Sequence, residues 1–222
     1  MTTAHVSSAG NYKSYNGSGD YNIGFTVPGG LTNSILIFAV NFWNSDSRND
    51  PGVCKAFQWA GNGLTMLYSN QTSSGYNRFN IGYMLNPTAG TYNGFAQATR
   101  ACEAKGVISV FSGVNQGSPI ASTTDYVGLT NTMSTIAGQV VYDVISVGQQ
   151  YDLASAQGSM VNTANATGAG AGISSGYAVA TSTSTACSWY TAYNWLWHRS
   201  IVLNWDTAPI PPVTFKPFAT IF

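Results

Sequence analysis

The chain holds two histidines, His5 and His198, so any imidazole metal site and any Ser–His–Asp nucleophile must draw on one of them. His5 falls in a polar N-terminal stretch rich in Gly, Ser and Asn. His198 alternates with Trp197, Ile201, Leu203 and Trp205, which puts it on the opposite strand face beside Leu196 and Ser200. No second ligand stands at metal-binding spacing from it, and it reads as a structural or surface histidine. Gly172-Ile-Ser-Ser-Gly176 matches the nucleophile-elbow pattern, which needs a strand before its serine and a helix after it. Here a Gly-rich segment precedes and a strand-like run follows, so the catalytic reading fails on context. Asp46 and Asp50, in Asn44-Ser-Asp-Ser-Arg-Asn-Asp50, could offer carboxylates to Ca²⁺. The alternating acids and the glycine of an EF-hand loop are missing and Arg48 sits in the middle, so a solvated turn fits better. The other acids are isolated and nominate no glycosidase pair. The expectation is therefore a non-enzyme, with no catalytic residue, metal or cofactor.

Aromatic side chains are the second kind of chemistry on offer. Trp189, Tyr190, Tyr193, Trp195, Trp197 and Trp205 crowd the last fifth of the chain. Exposed rings stack on sugars and Asn or Gln side chains bond their hydroxyls, so Trp189, Tyr193 and Trp195 form a candidate glycan platform. Core packing and subunit contact are the competing use of the same rings. Cys54, Cys102 and Cys187 are an odd number at wide spacing, which suits buried small hydrophobes and leaves a Cys54–Cys102 bridge open.

Charged residues make up 7% of the 222 residues and balance to a net charge of zero. Ser, Thr, Asn, Gln, Gly and Tyr must then supply the polar surface, which separates the chain from disordered sequences. Eight Lys and Arg scattered without a run cannot neutralise a phosphate backbone, so nucleic acid is not an expected partner. Little charge repulsion keeps copies apart, so assembly into something larger is expected. No run of about 18 apolar residues is present to cross a membrane as a helix, and the longest apolar run, Ile35 to Val40, is strand-sized. Met1 to Gly10 has neither the basic nor the apolar region of a signal peptide, so synthesis in the cytoplasm is expected.

Strands must position these residues. Ile23, Phe25 and Val27 alternate with small or polar residues, and Val27-Pro-Gly-Gly30 ends that strand. Ile35 to Phe42 and Gln139 to Val147 are apolar on both faces, as central strands are. Ala60-Gly-Asn-Gly63 places a hairpin bend at Asn-Gly. Phe79, Ile81 and Tyr83 alternate, Tyr92 to Ala98 follows, and Lys105 to Ser112 leads into the turn at Gly113 to Pro119. Gln157 to Ser175 is small and polar and reads as a long flexible loop. No segment keeps a helical period, and no equal-period repeat is visible. The expected fold is all-β, a single antiparallel β-sandwich of jelly-roll type over residues 21–207. A flexible N-terminal arm (1–20) and an extended Pro-rich tail (208–222) flank it. Tyr12 and Tyr15 on the arm, and Val213, Phe215, Phe218 and Phe222 on the tail, are the expected subunit contacts.

Five stretches carry a resemblance: Val27 to Leu31, the apolar strand after it, Trp59-Ala-Gly-Asn-Gly-Leu-Thr65, Tyr83 to Thr91, and Phe111-Ser-Gly-Val-Asn-Gln-Gly-Ser-Pro-Ile120. In that order they resemble a loosely defined group of β-sandwich proteins of tailed bacteriophages and related bacterial domains of unassigned function. The resemblance spans about residues 22 to 205 and implies a jelly-roll or lectin-like fold. It also implies a place on the virion surface, assembled in the host cytoplasm. A capsid decoration (cement) protein bound to other virion proteins and to its own copies is the leading expectation. A tail-fibre or secreted carbohydrate-binding module that takes host glycan is the alternative.

Overall fold

A computed structural model describes residues 3–16, 19–44, 52–71, 77–126, 128–147, 154–168, 171–192 and 196–206. The described residues contain strands and turns and no helix. The first half comprises β1 (Ala4–Asn16), β2 (Asp20–Val27), β3 (Ile35–Trp43), β4 (Cys54–Trp59), β5 (Asn62–Gly63), β6 (Thr65–Gln71), β7 (Asn77–Leu85), β8 (Gly90–Ala98) and β9 (Cys102–Ser112). The second comprises β10 (Ile120–Tyr126), β11 (Thr130–Ser134), β12 (Val140–Val147), β13 (Ser155–Gln157), β14 (Val161–Gly168), β15 (Ala171–Val179), β16 (Ser184–Tyr190) and β17 (Leu196–Leu203).

These strands form four antiparallel sheets stacked as layers. An outer sheet, β2-β8-β4-β5, lies against an inner sheet, β1-β9-β3-β7-β6; a second inner sheet, β10-β17-β12-β15-β14, follows, covered by β11-β16-β13. Three cores separate the layers. Tyr21, Ile23 and Phe25 meet Phe38, Val40 and Ile108 in the first. In the middle core Ile35, Ile37 and Phe111 meet Val140, Tyr142 and Ile201. Val141, Ile145 and Val202 meet Met133, Cys187 and Trp189 in the third. The unbroken burial of β3 from Ile35 to Phe42 and of β12 along its length follows from this, because these central strands bury both faces.

The two halves repeat one another. Counting β5 and β6 as one bent strand, each inner sheet runs first-eighth-third-sixth-fifth, and each outer sheet second-seventh-fourth, which is jelly-roll strand order with the fifth strand carried to the inner sheet. Registers match as well. Ile35 faces Leu85 and Phe111, as Val140 faces Val179 and Leu203, and both rows stay in step through Phe42 and Val147. Bulges recur at His5/Ser7 and Ile120/Ser122, and at Met66/Tyr68 and Asn162/Ala164. Gly82-Tyr83 and Gly176-Tyr177 occupy the same place in β7 and β15. A bridge between Val114 and Trp205 marks the dyad, flanked by Asn115 N to Asn204 O (3.0 Å) and Asp206 N to Gly113 O (2.8 Å). The single sandwich-like domain is thus two fused eight-strand units sharing one central core.

Three expectations need correction. Residues 4–16 are not a free arm: they form β1, paired along β9 from Ala4 to Asn16 at the edge of the inner sheet. The polar composition misleads because an edge strand needs backbone partners more than apolar side chains. The supposed loop from Gln157 to Ser175 contains β14 and most of β15. Its small residues answer a close approach: a Cβ on Gly10 would lie 2.3 Å from the Asn165 carbonyl oxygen of β14. The hairpin bend falls at Ala60 and Gly61, with φ of 49° and 79°, and Asn62-Gly63 already pairs back on β4. Replacing Gly10 with alanine should cost about 1–3 kcal/mol by overpacking. Gly24→Ala, whose new methyl meets only the Asn93 side chain at 3.7 Å, should shift the denaturation midpoint far less.

Candidate functional site

His198 and its strand neighbour Ser200 meet a buried acid in the third core. Asp143 on β12 is fully buried and pairs in register with Ser200 of β17. Its Oδ1 accepts from Trp189 Nε1 at 3.1 Å and lies 3.3 Å from His198 Nδ1, while its Oδ2 accepts from the Ser200 hydroxyl. Asn131 Nδ2 donates to Ser200 Oγ at 2.9 Å, and His198 Nε2 sits 2.5 Å from the Gly128 carbonyl. Both imidazole nitrogens face oxygens other than the serine hydroxyl, Asp143 Oδ1 and the Gly128 carbonyl, so the ring is not placed as a base toward Ser200. The hydroxyl is spent on the carboxylate and no member reaches solvent. Through Trp189 of β16 and Asn131 of β11, this trio of the inner sheet forms a buried polar staple to the covering sheet.

His5, expected in a mobile arm, is half-buried in β1 and stacks on Tyr177 at 5.1 Å. Its Nε2 is 2.5 Å from Ser8 Oγ, a base–nucleophile spacing that sequence reasoning missed. The hydroxyl chain leads inward, from Ser8 to Ser109 (3.0 Å) and on to Tyr142 OH (3.0 Å) in the middle core. Burial lowers the His5 pKa and pushes Tyr142 up to about 12. A linear trace of Ser7 and Ser8 beside His5 could have flagged the pair only if the segment had been read as a strand.

Of the expected glycan platform, Trp189 falls among the described residues. Trp189 is buried, with its indole N–H committed to Asp143, so it offers no ring face to solvent. The exposed ring beside it is Tyr190, 65% accessible. Tyr126 and Leu129 are exposed at the same end, where Leu129 O receives Trp189 N at 2.8 Å. Tyr193 and Trp195 lie outside the described residues, as do Asp46, Asp50, the side chain of Tyr15, and Val213, Phe215, Phe218 and Phe222. Tyr12 is committed inside the chain, its ring above Gly168 of β14 and 5.4 Å from Lys105 Nζ.

At the opposite end the turn motifs converge. Pro28, Gly30 to Ser34, Asn86, Pro87 and Ala89 line a cavity of about 320 Å³. Asn33 and Asn86 adopt φ of 50° and 46° there, a region asparagine tolerates. Their amides are spent on turns: Asn33 on Asp206, Asn86 on Ser34 N at 3.2 Å and Gln116 Oε1 at 2.8 Å. The lining therefore braces the dyad end.

The three cysteines are free, and burial pushes Cys54 to about 11 and Cys102 to about 12, so none is a poised thiolate. Among the described residues no three His, Cys, Asp or Glu side chains gather as a metal site. In the middle core Lys105 is fully buried, 3.3 Å from Glu103. Burial lowers the Lys105 pKa to about 8 against the opposing pull of that carboxylate. Comparison with protein-family models, with curated proteins and with solved structures yields no match.

Proposed function

We propose that the protein is a non-enzymatic structural component of a tailed-phage particle, a decoration (cement) protein that binds capsid subunits and its own copies. One observation carries the reading: the described Ser–His–Asp trio is turned into a core, while large uncharged side chains face outward. Val53, Ile136 and Val161 are each more than half exposed. A low-charge block of this kind works through contact area. The resemblance of its turns to phage sandwich proteins points the same way. Assembly would occur in the host cytoplasm, with the finished protein on the virion. Residues 209–222 are the proposed tether. Burying even one of their phenylalanines contributes about 1.5–3 kcal/mol, so deleting them should weaken particle binding about tenfold or more. Unchanged co-sedimentation with particles would exclude the tether.

The exposed rings at the Tyr190 end favour a second reading, a tail-fibre or secreted carbohydrate-binding module. Its platform would be Tyr190 and Tyr126 in place of Trp189. Binding on a glycan array that disappears in Tyr190→Ala supports it, and silence across a broad array rejects it.

A further inference from the structure

We infer that Lys105 and Asn41 become joined by an isopeptide bond between Nζ and Cγ, formed by the chain itself with Glu103 as the proton shuttle. The three residues sit together in the middle core. Asn41 of β3 pairs directly with Lys105 of β9, and directly paired residues hold their Cβ atoms about 4.5–5.5 Å apart on one face. Glu103 follows on that face of β9, with Oε2 3.3 Å from Nζ. Asn41 and Lys105 are fully buried and Glu103 nearly so. The rings of Tyr12 and Trp43 each stand 5.4 Å from Nζ and wall the site against water.

The Asn41 amide is held for attack. Its Nδ2 donates to Ser146 Oγ at 2.8 Å and to Asn77 Oδ1 at 3.2 Å, which fixes the amide plane. Its Oδ1 is buried and accepts no hydrogen bond among the described residues. A buried carbonyl in that state is costly to leave unmade. A buried ammonium beside a carboxylate is costly as well, and proton transfer to Glu103 converts the pair to a neutral amine and a neutral acid. Burial also lowers the Lys105 pKa to about 8, which makes the free amine more accessible than on an exposed lysine.

The steps balance without a redox partner. Nζ gives a proton to the Glu103 carboxylate and attacks Cγ, forming the Nζ–Cγ bond and placing negative charge on Oδ1. Glu103 passes the proton to Nδ2 as the Cγ–Nδ2 bond breaks. The second Nζ proton goes to the shuttle, and ammonia leaves. The bond would tie β3 to β9 at the centre of the first inner sheet, independently of any particle role.

Mass spectrometry of the full chain tests this. Acylation blocks trypsin at Lys105, so the digest of the folded protein should contain residues 14–48 joined to residues 101–199. The joined species should be lighter by one ammonia, about 17 Da, than the sum of its parts. Lys105→Arg and Glu103→Gln should each remove the joined species. The wild-type digest reads the bond even where a variant fails to fold. Cleavage after Lys105 with no joined peptide, in wild-type protein shown to be folded and aged for days at 37 °C or so, would overturn the inference.

Discussion

Asp143→Ala is expected to lower the unfolding free energy by about 3–5 kcal/mol, the range for breaking a buried charged network from one side. The carboxylate is the shared acceptor for Trp189 Nε1, Ser200 Oγ and the Nδ1 side of His198, all inside the third core. Its removal orphans these donors in a region that water does not reach. The first half shows that the fold itself needs no acid here. The equivalent of Asp143 in β3 is Phe38, and the equivalents of Ser200 and His198 in β9 are Ile108 and Gly106. Tyr21 fills the room Gly106 leaves. The loss therefore measures orphaned donors more than lost packing. Urea titration at neutral pH reads it, and a change below about 1 kcal/mol would mean that the donors find other partners.

Alkaline pH should destabilise the protein steeply above about pH 9 to 10, where unfolded thiols and phenols begin to ionise. Burial raises Cys54 to about 11 and Cys102 and Tyr142 to about 12, and it also raises Cys187 and Tyr21. A group with a raised folded pKa contributes its full stability below the unfolded pKa and loses it as pH rises through the folded one. Lys105 acts in the opposite sense. Its folded pKa of about 8 lies below the unfolded value of 10.5, so its contribution grows as pH rises between them. Five groups against one lysine leave a net fall of about 3–5 kcal/mol between pH 9 and 10.5 at about 1.4 kcal/mol per unit. A Lys105 acylated by Asn41 drops out of this balance and steepens the fall. Denaturant midpoints measured from pH 7 to 11 check it, and a flat profile to pH 11 would contradict the burial of these groups.

The parts of this fold that were legible are those whose own side chains decide the structure. β3, β9 and β12 announce themselves by apolar runs, and β2 and β7 by alternation. β1 and β14 were hidden because their conformation is set by what they lie against. Gly10 and Gly168 are small so that two edges can meet, and smallness in sequence looks like a loop. The duplication was hidden by divergence at equivalent positions, Phe38 against Asp143 and Ile108 against Ser200. The Gly-Tyr pair at 82–83 and 176–177 survives as the longest trace along these strands, and a dipeptide is too short to reveal a repeat. The site suffered from the same blindness. Asn41, Glu103 and Lys105 carry no spacing signature along the chain and meet only through sheet register. Trp189 looked like a platform because exposure of a ring is a property of the sheet above it.

Electron microscopy of the native particle bears most directly on the central claim, that this sandwich is a virion surface protein acting by contact. The account predicts repeated density matching the four-layer stack on the outer face of the capsid, lost from particles that lack the protein. Particles indistinguishable with and without it, and free protein that never co-sediments with them, would contradict it.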